Sequence, residues 1–415
     1  YNAADSVIVG KYVGEQALAA VGTSTPIMNI AILLISGMCM GASVLMSSQY
    51  GAKDYDTLSR QISTTMLAGC GFSVVFSLLM LLLANPVLRL IRVPETAIPE
   101  AAAYLRIIFM GLIFTFMYNF LANTMRALGD SKTPLYFLVT SAFLNIFGDL
   151  FFVVVLRWGV AGSAIATVCS EGLCCLLCGI YIKKKIPLLC LGKKWWVFDK
   201  SLLGKTVSYG STSAMQQVCL QLGKLIIQSV VNTQGVAVMA AFTAVNRVDD
   251  FAYTPQQNIG HAMTTFLAQN KGAGHKERMK KGFQTGLLIE LVYSIGLFCV
   301  IWGLAPQIMT LFAEDGDAQV VSLGISYLHL ISWMYILPGL TNGVQGFFRG
   351  IGDLKVTLYS TFMNMFGRVV AVFVMIRLLQ MEFASLAWAN MVGWIVMLLF
   401  EVPLLVKSMR NGECG

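Results

Sequence analysis

The residues most able to do chemistry are acidic side chains inside apolar stretches of the first half: Asp5, Asp149 and Glu171. An ionisable group at bilayer depth costs about 2.5–3.5 kcal/mol on insertion scales, so each one indicates a functional site. Asn145 precedes Asp149 by four residues, which places both on one face of a helix. Thr167 lies in the next apolar segment, on a face of small residues that permits close helix packing. We therefore expect one hard-oxygen cluster, made of Asp5, Asn145, Asp149 and Thr167.

Such a cluster is suited to binding a small cation. Two facing carboxylates in a low dielectric do not both ionise readily, and a proton or a sodium ion relieves their repulsion. The four residues are thus predicted to be a cation-coupling site, and a metal site only if the ion is Na⁺. The alternative is structural, with Asp149 merely hydrogen-bonding a neighbouring helix. Glu171, Glu290 and Glu401 stand isolated or near predicted helix ends and are assigned no role.

The chain is internally duplicated. RALGDSKTPLY at Arg126–Tyr136 recurs as RGIGDLKVTLY at Arg349–Tyr359, 223 positions later, and NIFGD is echoed by NMFGR. Both halves run in the same direction, which predicts parallel repeats related by a pseudo-two-fold axis along the membrane normal. The acidic pair is not duplicated, because Arg368 matches Asp149 and Ile226 matches Asp5. A scaffold role common to both halves would give no reason for this asymmetry.

Composition places these residues in a membrane. The 415 residues are 57% hydrophobic and only 12% charged, with a mean hydropathy of +0.71, whereas about a quarter of a soluble chain is charged. The segment 1–13 is short for a span of about 20 residues, so we expect its helix to lack an N-terminal part. Cys175 and Cys178 have metal spacing, but with no second pair they are interpreted as packing residues. No phosphate-binding loop or hydrolase motif is visible, which argues against an ATP-driven pump or an enzyme.

The fold class predicted is an all-α polytopic membrane protein. After the partial first helix, the apolar segments are expected at about 17–50, 57–84, 97–125, 133–156, 159–182, 206–232, 236–270, 283–312, 319–348, 355–378 and 383–406. These make twelve transmembrane helices in two pseudo-symmetric six-helix bundles. The predicted domains are an N-terminal lobe (1–185), a linker (186–205) and a C-terminal lobe (206–415).

Orientation follows from the basic residues. The loops after even-numbered helices, with the C-terminus, carry 20 Lys and Arg residues, and the opposite loops carry five. The positive-inside rule therefore predicts that both termini are cytoplasmic. The formal net charge of +8 is then orientation charge and not a nucleic-acid footprint.

Polar residues of the second half suggest a substrate cavity. Gln216 and Gln217 lie in the predicted segment 206–232. Arg247 and Asp250 are spaced for an intrahelical ion pair, an alternative about as probable as substrate contact. Lys224 and His261 are weaker candidates, and His261 is more simply a satisfied buried histidine. The complete predicted cavity set is Tyr1, Tyr118, Asn119, Gln216, Gln217, Arg247 and Asp250.

These motifs resemble the multidrug and toxic compound extrusion (MATE) family. The resemblance runs through ADSVIVGKYVGEQALAAVG, the two R-x-x-G-D-x-K hairpins, Asn145-x-x-x-Asp149, the run ending at Thr167, and NRVDDFAYTPQQNIGHAMTTFLAQNKGAG. It implies two six-helix bundles, a central cavity and cation-driven export, with Asp5, Asn145, Asp149 and Thr167 at the family's cation site. Gln216 and Gln217 stand where some members carry an acid, which resembles the DinF-like branch.

The sequence thus predicts an H⁺- or Na⁺-coupled antiporter that exports organic or cationic compounds by alternating access. We expect a non-enzymatic monomer in the cytoplasmic membrane, with no cofactor, no nucleic-acid partner, and small organic substrates and the bilayer as partners. One alternative is a lipid-linked oligosaccharide flippase, which would carry more than twelve helices and a cavity rich in Arg and Lys. Another is a membrane enzyme or structural protein, which would need a catalytic cluster at one interface.

Overall fold

A computed structural model of the protein describes residues 2–91, 93–186, 196–312, 318–379, 383 and 385–411. Within these ranges, side chains are described except at 2–4, 6–7, 15–16, 312 and 377–378. The described residues are helical or lie in short connections, and they form no β-strand.

The helices of the first half follow each predicted apolar segment in turn. They are α1 (Asn2–Tyr12), α2 (Glu15–Gly51), α3 (Tyr55–Leu90), α4 (Ile98–Met110), α5 (Leu112–Ala127), α6 (Lys132–Asp149), a π-helical turn (Leu150–Val155) and α7 (Gly159–Lys185). α4 and α5 form one span bent by 46°, with Gly111 between them. α6 and its π-helical turn form another.

The second half repeats this order. Its helices are α8 (Lys200–Val231), α9 (Val236–Gly272), α10 (Lys276–Phe312), α11 (Ala318–Ser332), a 3₁₀ turn (Trp333–Tyr335), α12 (Ile336–Ile351), α13 (Leu354–Phe373), a π-helical turn (Val374–Leu378) and α14 (Ser385–Arg410). The broken span and the π-helical turn therefore both recur. The predicted starts of α8 and α10, at 206 and 283, were six and seven residues late, because the polar first turns of both helices are also helical.

Eight helical spans of the described chain are long and apolar enough to cross a membrane, and the bent α4–α5 pair makes a ninth. α1 has 11 residues, which is shorter than the 20 or so that a membrane crossing needs. α8 and α9 are long enough, but they carry the polar residues of the predicted cavity. The protein is a polytopic all-α membrane protein, and the crossing of all twelve segments stays a prediction.

The chain divides into two compact units. The first unit comprises Tyr1–Tyr50 and Asp54–Ala214, and the second comprises Gly51–Lys53 and Met215–Gly415. α8 contributes residues to both. In the first unit, one large apolar core joins α2, α3, α4, α5 and α7, and a smaller core joins α1, α2, α4 and α7. The second unit has two apolar cores of its own.

The duplicated R-x-x-G-D hairpin is a helix C-cap. Gly129 and Gly352 have φ values of 94° and 87°, a left-handed conformation that glycine adopts without a Cβ penalty. The N–H of Gly129 donates to the carbonyl of Arg126 at 2.9 Å, and Gly352 donates likewise to Arg349 at 3.0 Å. Each following Asp N–H reaches one residue further back. Both copies thus end a helix with a Schellman motif.

The described part of the predicted linker packs on the first unit. The N–H of Val197 donates to Ser63 Oγ at 3.0 Å, and the N–H of Asp199 donates to Thr64 Oγ1 at 3.1 Å. Asp199 also lies 3.4 Å from Arg60. Residues 196–199 are therefore fixed to the start of α3. The remainder of the basic segment, at 187–195, lies outside the described residues.

Candidate cation site

Three helices of the first unit bring the predicted oxygen cluster together. α1 carries Asp5, α6 carries Asn145 and Asp149, and α7 carries Thr167. α1 packs against both other helices. Its position is fixed by the smaller apolar core, in which Val9 belongs to a cluster with residues of α2, α4 and α7. The short first helix is thus held by hydrophobic burial, and its carboxylate is brought to α7.

Thr167 connects the helices by hydrogen bonds. Its hydroxyl donates to Asp5 Oδ2 at 3.3 Å, or to the carbonyl of Ser163 at 3.2 Å. The Asn145 amide donates to the same hydroxyl at 3.1 Å. The structure therefore places these side chains in one buried chain of contacts. Asp149 lies beside them, where its carboxyl interacts with Asp5 and Ser163.

The cluster has more oxygen atoms than hydrogen-bond donors. Asp5, Asn145 and Asp149 are fully buried, with 0% exposure. Five oxygens have no hydrogen-bond partner among the described residues: Asp5 Oδ1, Asn145 Oδ1, Asp149 Oδ1, Asp149 Oδ2 and Ser163 Oγ. Buried polar atoms are nearly always satisfied in folded proteins, and uncompensated buried carboxylates are costly. A positive particle at this place would offset the cost of burying these carboxylates.

The local backbone allows this close convergence. A Cβ atom on Gly148 would lie 3.0 Å from Ala166 Cβ, and one on Gly162 would lie 3.0 Å from the carbonyl oxygen of Phe152. Small residues thus let α6 approach α7, as the sequence of α7 indicated. The π-helical turn Leu150–Val155 follows Asp149 directly. Such turns occur frequently at functional sites.

Two neighbours of the cluster were not predicted as site residues. Ser163 was recognised only as a small residue, although its hydroxyl interacts with the Asp149 carboxyl. Tyr104 of α4 is 1% exposed and interacts electrostatically with Asp5, Asp149 and Glu171. Its hydroxyl lies 3.9 Å from Met28 Sδ. The four-residue Asn–Asp spacing identified α6, but an aromatic residue in an apolar segment gives no such signal.

Carboxylate, amide and hydroxyl oxygens are hard ligands that suit an alkali cation or a proton. The described residues contain no group of three or more His, Cys, Asp or Glu side chains placed to hold a metal ion. This set of ligand oxygens therefore fits Na⁺ or H⁺ better than a transition metal. Asp5, Asn145, Asp149 and Thr167 would hold Na⁺, with Ser163 as an additional oxygen.

The predicted cavity residues of the first unit lie on α5. Tyr118 is half-buried, and its hydroxyl donates to the carbonyl of Pro134 at 3.3 Å. Asn119 is also half-buried, and its amide donates to the carbonyl of Thr115 at 2.8 Å. Tyr1 lies outside the described residues. The structure does not bring Tyr118 or Asn119 into the hydrogen bonds that join the oxygen cluster.

The two glutamines of α8 occupy different environments. Gln216 is buried, and its amide donates to Gln345 Oε1 at 3.1 Å and to Thr361 Oγ1 at 3.0 Å. Gln217 is half-buried. Gln216 thus belongs to a polar network in the interior of the second unit.

Asp250 has an ion-pair partner on a neighbouring helix. Its carboxylate lies 3.3 Å from Lys224 Nζ, which joins α8 to α9. Both side chains are more than half exposed, and ion pairs of this kind contribute little to stability. Arg247 is exposed as well. These residues form an accessible charged face of the second unit.

The buried polar network of the second unit was missed by sequence reasoning. Arg349 donates to Gln345 Oε1 at 2.6 Å and lies 3.3 Å from His261 Nδ1. Glu401 is fully buried and interacts electrostatically with Arg349. His261 is half-buried, and Arg349 is its polar partner. The sequence signal was Glu401 itself, a carboxylate in an apolar segment that was set aside because it stood alone.

Comparison with known proteins adds to this geometry. The MatE family profile matches residues 1–151 and 213–375. Probable multidrug resistance protein YpnP of Bacillus subtilis is 31% identical over 85% of this chain and 79% of its own length. Probable multidrug resistance protein NorM of Thermotoga maritima is 23% identical over 95% of this chain and 85% of its own length.

Solved structures share the fold. A MOP superfamily transporter from Pyrococcus furiosus superposes with a TM-score of 0.91 at 21% identity, covering 99% of this chain and 92% of the other. An outward-facing MATE family transporter of the same superfamily gives 0.90 at 22% identity, covering 99% and 91%. At this level of identity the superpositions establish architecture, and the family rests on the sequence matches.

Proposed function

The chain belongs to the MatE family of multidrug efflux transporters, and from this premise we propose that it is a cation-coupled antiporter for organic molecules. One observation carries the proposal: the first unit buries two aspartates whose oxygens outnumber the available donors. A proton or Na⁺ bound there supplies the missing positive charge. Buried ionisable residues in membrane proteins mark ion pathways and proton relays.

Coupling requires that the ion distinguish between conformations. An ion shifts an equilibrium only by its difference in affinity for the two states. Asp5, Asp149 and Thr167 belong to three helices, so a cation that binds them draws α1, α6 and α7 together. A state in which these helices separate loses the ligand set. We propose that occupation of this site selects the conformation that releases substrate to the outside.

The proposed substrates are amphipathic or cationic organic molecules. The names of relatives such as YpnP describe multidrug resistance. Flexible methionines adapt to ligands of different shapes, and the sequence has 22. We propose that the chain acts as a monomer in the cytoplasmic membrane with both termini inside, without a catalytic role or an organic cofactor. Tyr1, Tyr118, Asn119, Gln216, Gln217, Arg247 and Asp250 remain the proposed cavity set.

The test is efflux of a fluorescent cation such as ethidium from proteoliposomes, with proton and sodium gradients applied separately. Asp5→Asn and Asp149→Asn each remove one negative charge with little change of shape, and we expect an efflux rate at least about 100-fold lower, the upper end of usual allosteric coupling. Asp56→Asn is the matched control, because Asp56 is a surface carboxylate of the same unit, 86% exposed. Wild-type rates in both variants would refute the site, and efflux without any ion gradient would refute the antiport.

A further inference from the structure

The second unit contains a carboxylate that the proposed mechanism does not use. Glu290 of α10 is 1% exposed, and neither of its carboxylate oxygens has a hydrogen-bond partner among the described residues. Gln256 of α9, which is 0% exposed, has an unpartnered Oε1. Both groups are buried without compensation, which is rare in folded proteins.

The donors around Glu290 are already engaged. The Gln256 amide donates to Ser294 Oγ at 3.0 Å and to the carbonyl of Tyr335 at 2.8 Å. The Ser294 hydroxyl donates to the carbonyl of Glu290 at 2.7 Å, or to that of Tyr335 at 3.2 Å. These hydrogen bonds direct the amide N–H groups and the hydroxyl away from the carboxylate.

These polar groups converge on a glycine. A Cβ atom on Gly339 would lie 2.9 Å from Ser294 Oγ, 3.2 Å from Gln256 Nε2 and 3.4 Å from Glu290 Oε2. Gly339 stands near the start of α12, just after the 3₁₀ turn that breaks the α11–α12 span. The missing side chain leaves room for the carboxylate at the break.

The first unit fills the same space differently. By the repeat offsets, Glu290 corresponds to Gly69 and Gly339 corresponds to Phe116. A Cβ atom on Gly69 would lie 1.9 Å from Phe116 Cζ, so the ring occupies the space that the glycine leaves. In the first unit the large side chain, Phe116, comes from α5 and the glycine from α3. In the second unit the large side chain, Glu290, comes from α10 and the glycine from α12. The fold can therefore form with an apolar side chain in this space, and an acid is not required for the helices to pack here.

We propose that Glu290 is a proton-binding site of the second unit, where the carboxylic acid is held beside the break in the α11–α12 span. In this proposal the acid hydrogen is donated to the unpartnered Oε1 of Gln256. A proton fits better than Na⁺, because the Ser294 oxygen and the Tyr335 carbonyl already accept hydrogen bonds and only three oxygens are free. From α9, the 3₁₀ turn and α12, the groups facing Glu290 are Gln256, the Tyr335 carbonyl and Gly339, all uncharged. On its own helix, Tyr293 is the titratable neighbour.

The proposal goes beyond the cation site of the first unit and does not depend on it. It is tested by infrared spectroscopy of the reconstituted full chain at neutral pH, in which an un-ionised carboxylic acid has its own carbonyl stretching band. We expect Glu290→Gln to lose the band intensity of one acid group. Glu95→Gln is the control, because Glu95 is 78% exposed beside Arg89 and should leave the band unchanged.

A second measurement uses the wild-type chain, so that it does not rely on folding of the variant. Dicyclohexylcarbodiimide partitions into lipid and reacts with protonated carboxyl groups, and mass spectrometry locates the adduct. We expect modification of Glu290. An unmodified Glu290 together with an unchanged infrared band in Glu290→Gln would overturn the proposal. Protection of Glu290 by Na⁺ at constant pH would also overturn it, since a metal ion would then be the occupant.

Discussion

Buried charges at corresponding positions of the two units differ in sign and in their neighbours. In the first unit, Asn145, Asp149 and Thr167 surround unpaired carboxylate oxygens. The corresponding residues of the second unit are Asn364, Arg368 and Asn390. The acid has been replaced by a base, although the π-helical turn is retained after α13.

The second unit has its own acid near this place, but it comes from another helix. Asp249 of α9 corresponds to Met28 of α2. It accepts hydrogen bonds from Tyr335 at 2.5 Å and from Tyr327 at 3.2 Å, and Arg368 acts on it electrostatically. Tyr327 also accepts a bond from Asn390 at 2.9 Å. The protein itself thus provides hydrogen bonds and an opposite charge for this carboxylate.

The difference is between a proposed binding site and a structural charge network. Two hydrogen bonds and the opposite charge of Arg368 offset part of the desolvation of Asp249 from within the protein. Asp149 has no hydrogen-bond donor for either carboxylate oxygen among the described residues, and Asp5 has none for Oδ1, so we propose an external cation for this pair. The duplicated fold thus has carboxylate oxygens without hydrogen-bond partners in one unit and a hydrogen-bonded charge network in the other. The duplication alone does not predict which unit binds the ion.

The largest effect is expected from Asp149→Arg, which gives the first unit the residue of the second. The guanidinium would pair with Asp5 and occupy the place of the cation permanently. We expect loss of gradient-driven ethidium efflux, again about 100-fold or more, with retained folding because the net charge of the cluster becomes balanced. Efflux and the thermal midpoint should be measured together. An active Asp149→Arg variant would show that the cluster is not the coupling site.

A smaller effect is expected from Tyr335→Phe. The hydroxyl donates to a buried carboxylate, and a hydrogen bond to a charged group contributes about 1.5–3 kcal/mol. Thermal unfolding in detergent should show this loss of stability, while proton- and sodium-driven efflux keeps its ion dependence. Tyr104→Phe is the matched variant of the first unit. Among the described residues its hydroxyl donates to the weak acceptor Met28 Sδ at 3.9 Å, so we expect a smaller loss of stability. Equal losses in both variants would contradict the contrast between the units.

The sequence predicted the helices and the first-unit cluster for a physical reason. Membrane helices are continuous apolar segments, and an acid within one is conspicuous; the Asn145–Asp149 spacing then gave a shared face. Glu290 is also an acid in an apolar segment, but it had no second acid or amide at helical spacing to indicate a role, and Tyr104 gave no polar signal. Their surroundings depend on how several helices rotate and pack, and on which donors are already used. The late predicted start of α10 has a related cause, because its polar first turn carries no apolar signal.

The smallest expected effect concerns a turn found in both repeats. Lys53 has a φ value of 57°, and Gly274 at the corresponding position has 72°. The left-handed conformation costs a residue with a Cβ atom about 1–2 kcal/mol. Lys53→Gly should therefore stabilise the protein by about 1 kcal/mol, and Gly274→Ala should destabilise it similarly. Thermal midpoints of the two variants should move in opposite directions. A shift in the same direction would mean that side-chain contacts at this turn outweigh its backbone conformation, and the two repeats would then differ here as well.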